Sequence, residues 1–372
     1  MIYFDTDYME GAHPLVLRRL VETNSLHTVG YGRDAFTARA KKLILDRCGI
    51  ENGEVYFLVG GTQTNAVVLD RLLDHNDGVL ATDTAHINVH EAGAIESNGN
   101  KILTLPGHDG KLAAKDIREY VETFYSDATN EFMVRPGAVY ISFPTELGTL
   151  YSLDELRELR AVCDEFRLPL YIDGARLAYG LKGEGNNVTL RDIAALSDAF
   201  YIGGTKCGTL FGEAIVTRRP DLFPRFASLI KLHGATLAKG RLLGVQFEAL
   251  FDEALLAETT IDNDSTSDTS ASDENVSKSE KCCEILYDRI GEHAIRLAMK
   301  LREAFHVRGY KMLIESPTNQ QFVILPNDKL DSLHKVASFE LWGPRGATET
   351  AVRFVTDWST TEEDVDLLIA NL

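Results

Sequence analysis

Cysteine and tryptophan are scarce in this chain of 372 residues, which holds five of the first and two of the second. The cysteines (Cys48, Cys163, Cys207, Cys282 and Cys283) are odd in number and form no CxxC pair. That argues against a disulfide scaffold and against a zinc knuckle. No run approaches the roughly 18 apolar residues that a membrane helix needs. The first residues, MIYFDTD, lack the basic and apolar regions of a signal peptide and are too acidic for a transit peptide. Positive charge is short as well: Lys and Arg total 38 against 56 Asp and Glu, a formal charge of −18. Such a surface repels phosphate backbones and anionic headgroups, so neither nucleic acid nor a membrane is an expected partner. A local basic pocket for one small anion is compatible with it. The absences together predict a reduced, cytoplasmic protein of two or three domains.

What is present is organised. Residues 259–283 read TTIDNDSTSDTSASDENVSKSEKCC, with six acidic and two basic side chains and almost nothing apolar. A segment so poor in burial cannot offset its ordering entropy, which predicts a disordered acidic insertion. It reads either as a tolerated surface loop or as a modification or partner tail. Before it, short apolar runs at 55–59, 139–143, 168–172 and 199–202 alternate with helical periodicity at 66–73 and 153–166. Continuous apolar strands separated by helices point to an α/β domain with a mainly parallel sheet buried on both faces. After the insertion come a helical pattern at 283–305, strands at 321–325 and 352–356 and an acidic helix at 361–372. The expected layout is an N-terminal arm (1–14), a large domain (15–250), the insertion, and a small α+β domain (284–372).

In an open parallel sheet, ligands bind beyond the carboxyl ends of the strands. Four such ends carry polar groups: Gly60-Gly61-Thr62-Gln63-Thr64, Pro144-Thr145-Glu146, Asp173-Gly174-Ala175-Arg176 and Gly203-Gly204-Thr205-Lys206. The first opens a helix whose free N–H groups and dipole suit a phosphate; the alternative is a plain turn with Thr62 as N-cap. It matches neither the dinucleotide nor the nucleoside-triphosphate fingerprint, so a dehydrogenase is a poor reading. Lys206 follows two glycines near the crevice, where a lysine of lowered pKa can bond a carbonyl; alone, it would be read as a solvated charge. Asp173 ends an apolar strand and needs a cation, either a pyridinium or Arg176. Phosphate cradle, acid and lysine are together the set that pyridoxal 5′-phosphate (PLP) requires.

The sequence resembles the PLP-dependent L-threonine aldolases and β-eliminating lyases of the aspartate-aminotransferase (fold type I) superfamily. The resemblance rests on GAHP (11–14), VGYG (29–32), VGGTQTN (59–65), AHINVHEAGA (85–94), YIDGARL (171–177), YIGGTKCG (201–208), KLHGATLAKG (231–240) and VRFVTDW (352–358). It covers nearly the whole chain apart from the insertion. It implies the PLP-transferase fold, PLP as cofactor, and cleavage of a β-hydroxy-α-amino acid to glycine and an aldehyde. By the same resemblance Lys206 holds the cofactor aldehyde, Asp173 partners the pyridine nitrogen, and His86 stacks on the ring. Gly60, Gly61 and Thr62 cradle the phosphate, Arg176 and Arg353 grip the amino-acid carboxylate, and Thr6 assists them. Tyr31, Lys231 and Lys239 fall in stretches that reach a neighbouring subunit's cofactor, so a homodimer or homotetramer is expected.

Each assignment has a plainer counterpart. His86 and His90 are four residues apart, a spacing that suits a metal, but no third ligand is evident and none is expected. Arg353 could instead pair with an acid, Lys231 and Lys239 could be solvated, and Cys207 reads as packing. Many threonine aldolases carry Thr-His-Asn-Gly where this chain has Thr145-Glu146-Leu147-Gly148. Glu146 is thus either a base raised by burial or structural. The alternatives in reaction are β-elimination or amino transfer on a small amino acid, and in class a non-catalytic homologue acting in protein interaction.

Overall fold

A computed structural model describes residues 1–264 and 284–372. The strands are Ile2–Tyr3 (β1), Glu54–Leu58 (β2), Asp77–Thr82 (β3), Lys101–Leu105 (β4), Arg135–Ser142 (β5), Leu170–Asp173 (β6), Ala199–Gly203 (β7), Glu213–Thr217 (β8), Lys311–Ile314 (β9), Gln320–Pro326 (β10), Ala337–Ser338 (β11), Glu340–Leu341 (β12) and Glu349–Val355 (β13). Seven of them form one sheet in the order β2-β8-β7-β6-β5-β3-β4. The pairings from β7 through β4 are parallel, whereas β8 runs antiparallel to both β7 and β2. The mainly parallel sheet read from the apolar runs is therefore present.

Alternation along the strands sorts their side chains between two cores. Ile141, Ile172, Ile202 and Val216 enter one, beneath the helices Ala35–Cys48, Leu153–Phe166 and Arg241–Phe251. Tyr140, Tyr171, Tyr201 and Ile215 enter the other, with Val67 and Val68 of the helix Gly61–Leu72. Each fully buried aliphatic side chain contributes about 1.5–3 kcal/mol, so a sheet covered on both faces holds most of the stabilising burial. The helix Leu153–Phe166 starts at a capping box, Ser152 with Glu155, and turns Leu156, Leu159, Val162 and Cys163 inward.

The smaller sheet is antiparallel, in the order β12-β13-β10-β9. Two expected boundaries are redrawn. The long helix Leu286–Val307 belongs to both units: Ile290 and Ala294 enter the large core, while Leu297, Leu301 and Phe305 enter the small one. The N-terminal arm docks on the small unit, where β1 pairs with β11 and Phe4 is buried in the small core. The disordered insertion expected at 259–283 starts too early. The helix Glu253–Asp264 continues through 264, and the remainder, 265–283, lies outside the described residues. No described helix is long and apolar enough to cross a membrane.

Candidate active site

The register of the large sheet gathers the polar strand ends. Ser142 pairs with Asp173, and Glu213 pairs with Gly203 on one side and Leu58 on the other. Across one edge the chain thus presents, in order, the turn after Leu58, then Glu213, Gly203, Asp173 and Ser142. Parity places the side chains of Ser142, Asp173 and Glu213 on the same face as Tyr140, Tyr171 and Tyr201. The loops after β6 and β7 lie against each other so closely that only glycine fits: a Cβ on Gly174 would stand 2.0 Å from the Tyr201 carbonyl oxygen, and one on Gly203 would stand 2.2 Å from that of Ala175. The result is a cavity of about 300 Å³ lined by Gly60, Gly61, Thr62, His86, Glu146, Asp173, Arg176 and Lys206.

Asp173 is 5% exposed and accepts four hydrogen bonds. Tyr201 Oη (2.6 Å) and the Ala175 N–H (3.0 Å) donate to Oδ1; Tyr140 Oη (2.7 Å) and Asn65 Nδ2 (3.0 Å) donate to Oδ2. Burial alone would raise its pKa, but the charge of His86 and these donors hold it below the ordinary value. The pairing with Arg176 weighed above does not form. Arg176 is instead clamped by Asp7, through Nε to Oδ2 (2.6 Å) and Nη2 to Oδ1 (2.9 Å). Asn319 Nδ2 also donates to Asp7 at 3.0 Å. Burial raises Asp7, but the charges of Arg176 and Lys206 and the hydrogen bonds from Arg176 and Asn319 together outweigh it and the carboxyl stays low.

Lys206 stands with its Nζ 5.8 Å from the centre of the Tyr8 ring. Burial, then the neighbouring Arg176 charge, lower its pKa. The His86 Nδ1 pairs with Glu91 Oε1 at 2.7 Å, and that oxygen also accepts from Asn65 Nδ2 at 2.7 Å. Burial works against the imidazolium, but the bond to Glu91 and the Asp173 charge raise the His86 pKa overall. Glu146 Oε1 accepts from Ser142 Oγ (2.6 Å) and from the His86 N–H (2.9 Å); burial pushes its carboxyl up. The helix Gly61–Leu72 starts at the cavity with Gly60 as N-cap, so Thr62 lies inside the first turn rather than capping it.

Other expected residues fall elsewhere. Thr6 lines a separate cleft with Glu10 and Asp357, while the next two residues, Asp7 and Tyr8, face Arg176 and Lys206. Arg353 does not line the cavity. Its guanidinium pairs with Glu340, donates to Gln320 Oε1 at 2.9 Å and lies 5.2 Å from the Trp342 ring centre. Tyr31 and Lys231 meet in a surface groove, Nζ 5.4 Å from the ring centre, and Gly240, next to Lys239, lines the same groove. Cys207 is buried, in accord with packing.

Sequence reading missed Asp7, Tyr8, Glu91, Tyr201 and Glu213. The period-two face shared by Tyr171 and Asp173 was the available signal for the tyrosines. Glu213 was hidden because it precedes, rather than follows, the apolar run of its reversed strand.

The donor set fits PLP. An ionised carboxylate, a lysine of lowered pKa and a glycine-led helix start meet in one cavity, and a Cβ on Gly60 would find open space around it. Comparison with known proteins agrees. A low-specificity L-threonine aldolase of Pseudomonas sp. (strain NCIMB 10558) is 32% identical over 67% of this chain and 71% of its own. The solved structure of Leishmania major threonine aldolase superposes with a TM-score of 0.88 at 35% identity, over all of this chain and 98% of that one. Aspartate aminotransferase of Thermus thermophilus, 12% identical, shares the fold with a TM-score of 0.65 over all of this chain and 90% of its own. The beta-eliminating lyase family model matches residues 6–313. The chain belongs to the beta-eliminating lyase family, with the fold type I architecture.

Proposed function

We propose that this protein is a PLP-dependent aldolase that cleaves L-threonine, L-allo-threonine or a related β-hydroxy-α-amino acid to glycine and an aldehyde. The observation that carries this reading is the meeting of Lys206, Asp173, Arg176 and Glu146 in one cavity. Kinship with threonine aldolases supports the choice of reaction. When bound, PLP supplies an aldehyde electrophile and an electron-withdrawing ring.

The chain's own groups divide the remaining work. Lys206, its pKa lowered by burial and by Arg176, reaches the nucleophilic amine form at lower pH than an exposed lysine. Asp173 holds a negative charge for the pyridine nitrogen, and the first turn of the helix Gly61–Leu72, with Thr62, receives the phosphate. Arg176, fixed by Asp7, binds the substrate carboxylate. Arg353, which pairs with Glu340 beside the cavity, would join it by exchanging that partner for the substrate: burial and the Arg176 charge both depress the Arg353 pKa, a repulsion that a carboxylate between them would relieve. Glu146 accepts the β-hydroxyl proton as the Cα–Cβ bond breaks; the alkoxide carbon becomes the aldehyde, and a proton added at Cα completes glycine. Such a base supplies roughly 10²–10⁴-fold. We assign the Tyr31–Lys231 groove to contact with a second copy of the chain, a dimer or tetramer that light scattering would reveal.

The test is product analysis with L-threonine, L-allo-threonine, L-serine and a keto-acid acceptor in turn. Glycine with acetaldehyde is expected from the threonines. Ammonia with a keto acid would instead assign β-elimination, and amino transfer to the acceptor would assign transamination. The purified protein should be yellow, and Lys206→Ala should lose that colour; a colourless wild type that binds no added PLP would sink the cofactor reading.

A further inference from the structure

Glu213 is a buried acid at the cavity that the proposed reaction leaves unused. It opens β8 and pairs with Leu58 and Gly203, which sets it between the turn at Gly60 and the segment carrying Thr205 and Lys206. It is 4% exposed and lines the same cavity as Gly60, Gly61 and Thr62. Oε1 accepts from Thr205 Oγ at 2.8 Å, and Oε2 accepts from the Gly204 N–H at 3.1 Å. Among the described residues no cation forms an ion pair with it. Its charged and titratable surroundings are Lys206 and Cys207 after β7, Tyr201 on β7, Asp173 and Tyr171 on β6, and Tyr287 of the long helix. Burial raises the carboxyl to about 8, with the bonds from Thr205 and Gly204 and then the Lys206 charge only partly offsetting it.

A phosphate dianion placed in this cradle would meet an ionised carboxylate as a like charge, whereas a neutral acid still carries a proton to donate. We propose that Glu213 holds the cofactor phosphate as a neutral carboxylic acid, so that cofactor retention is coupled to one proton on this side chain. The proposal rests on the PLP reading above. The sign follows from linkage: a raised carboxyl pKa keeps the acid neutral below about 8, and its hold on phosphate is lost as pH rises through that value.

Pyridoxine 5′-phosphate tests this without a bond to Lys206, because it has no aldehyde. Its dissociation constant is measured by fluorescence on apoprotein from pH 7 to pH 9.5, for wild type and for Glu213→Gln. The ligand's own titration is common to both proteins, the amide cannot ionise, and pyridoxine, which lacks the phosphate, reports any shift that loss of the Glu213 charge causes at Lys206. Wild-type affinity should fall about thirtyfold more than that of the variant, a factor of ten for each pH unit above the acid's pKa. Parallel profiles overturn the proposal. Failure of wild type to bind at any pH overturns the cofactor reading beneath it instead. Should Glu213→Gln not fold, calorimetry of wild type at pH 9.5 in two buffers of different ionisation enthalpy counts protons. Pyridoxine 5′-phosphate should take up one more than pyridoxine; equal uptake overturns the proposal.

Discussion

Asp173 and Glu213 stand at ends of strands separated only by β7, both buried, on the same face of one sheet, yet their carboxyl pKa values are displaced in opposite directions. Burial pushes each towards the neutral form. Asp173 has four donors and the His86 charge against that push, and its carboxyl is held low. Glu213 has two donors, and its carboxyl rises to about 8. Glu146, with two donors on a single oxygen, is raised like Glu213. The His86 charge, together with the larger number of hydrogen bonds to the charged form, separates Asp173 from the other two. On the PLP reading proposed above, one end of the cavity therefore offers a fixed anion to a cationic ring, and the other an uncharged acid to an anion.

The largest effect expected from breaking this contrast is at Glu146. Glu146→Gln keeps the shape but cannot accept a proton, so kcat should fall by roughly 10²–10⁴-fold. A base must be ionised, so wild-type kcat should rise with pH through the raised Glu146 pKa; the variant should lose that limb. A Gln variant with unchanged kcat would make Glu146 structural.

Next is the fixed anion itself. Asp173→Asn removes the charge and turns an amide N–H towards groups that also donate. Breaking a buried charge pair costs about 3–5 kcal/mol, which is on the order of 10²–10³-fold or slightly more in cofactor affinity. Equilibrium dialysis with PLP checks it, and a loss under tenfold would show that the ring needs no anion there.

Much of this edge was legible in the sequence. Lys206, Asp173 and the Gly60–Gly61–Thr62 turn follow apolar runs, and parallel strands put their chemistry at those ends. Glu213 was not legible because β8 is reversed, so its polar residue comes first. Asp7 was missed by one position: Thr6 was chosen on resemblance, but 169 residues separate Asp7 from the Arg176 it clamps, and no local pattern records that pairing. The division of the helix Leu286–Val307 between two cores was equally silent, since one continuous apolar stripe serves both.

A single donor can sharpen the comparison. Tyr201→Phe removes one of the four bonds to Asp173, and a hydrogen bond to a charged group contributes about 1.5–3 kcal/mol, or roughly one to two pKa units. A depressed carboxylate contributes while ionised and is lost as pH falls through its folded pKa, so the variant should release cofactor at higher pH on the acid side. Visible absorbance during acid titration follows this, and an unmoved limb would mean that donor count does not set the charge.

The smallest effect is the mirror image, at Thr205. Thr205→Val removes the hydroxyl that donates to Glu213 Oε1, and with it the acceptor of the Gly212 N–H at 3.0 Å. Losing a donor disfavours the carboxylate, so Glu213 should become neutral over a wider range; a hydrogen bond of about 0.5–1.5 kcal/mol corresponds to one pKa unit or less. The variant should therefore keep pyridoxine 5′-phosphate to slightly higher pH than wild type while melting earlier, because the Gly212 N–H is left without its partner. Thr205→Ser retains the hydroxyl and should restore both properties. These opposite shifts in stability and alkaline retention distinguish a proton-holding acid from an ordinary buried hydrogen bond, whose loss would weaken both together.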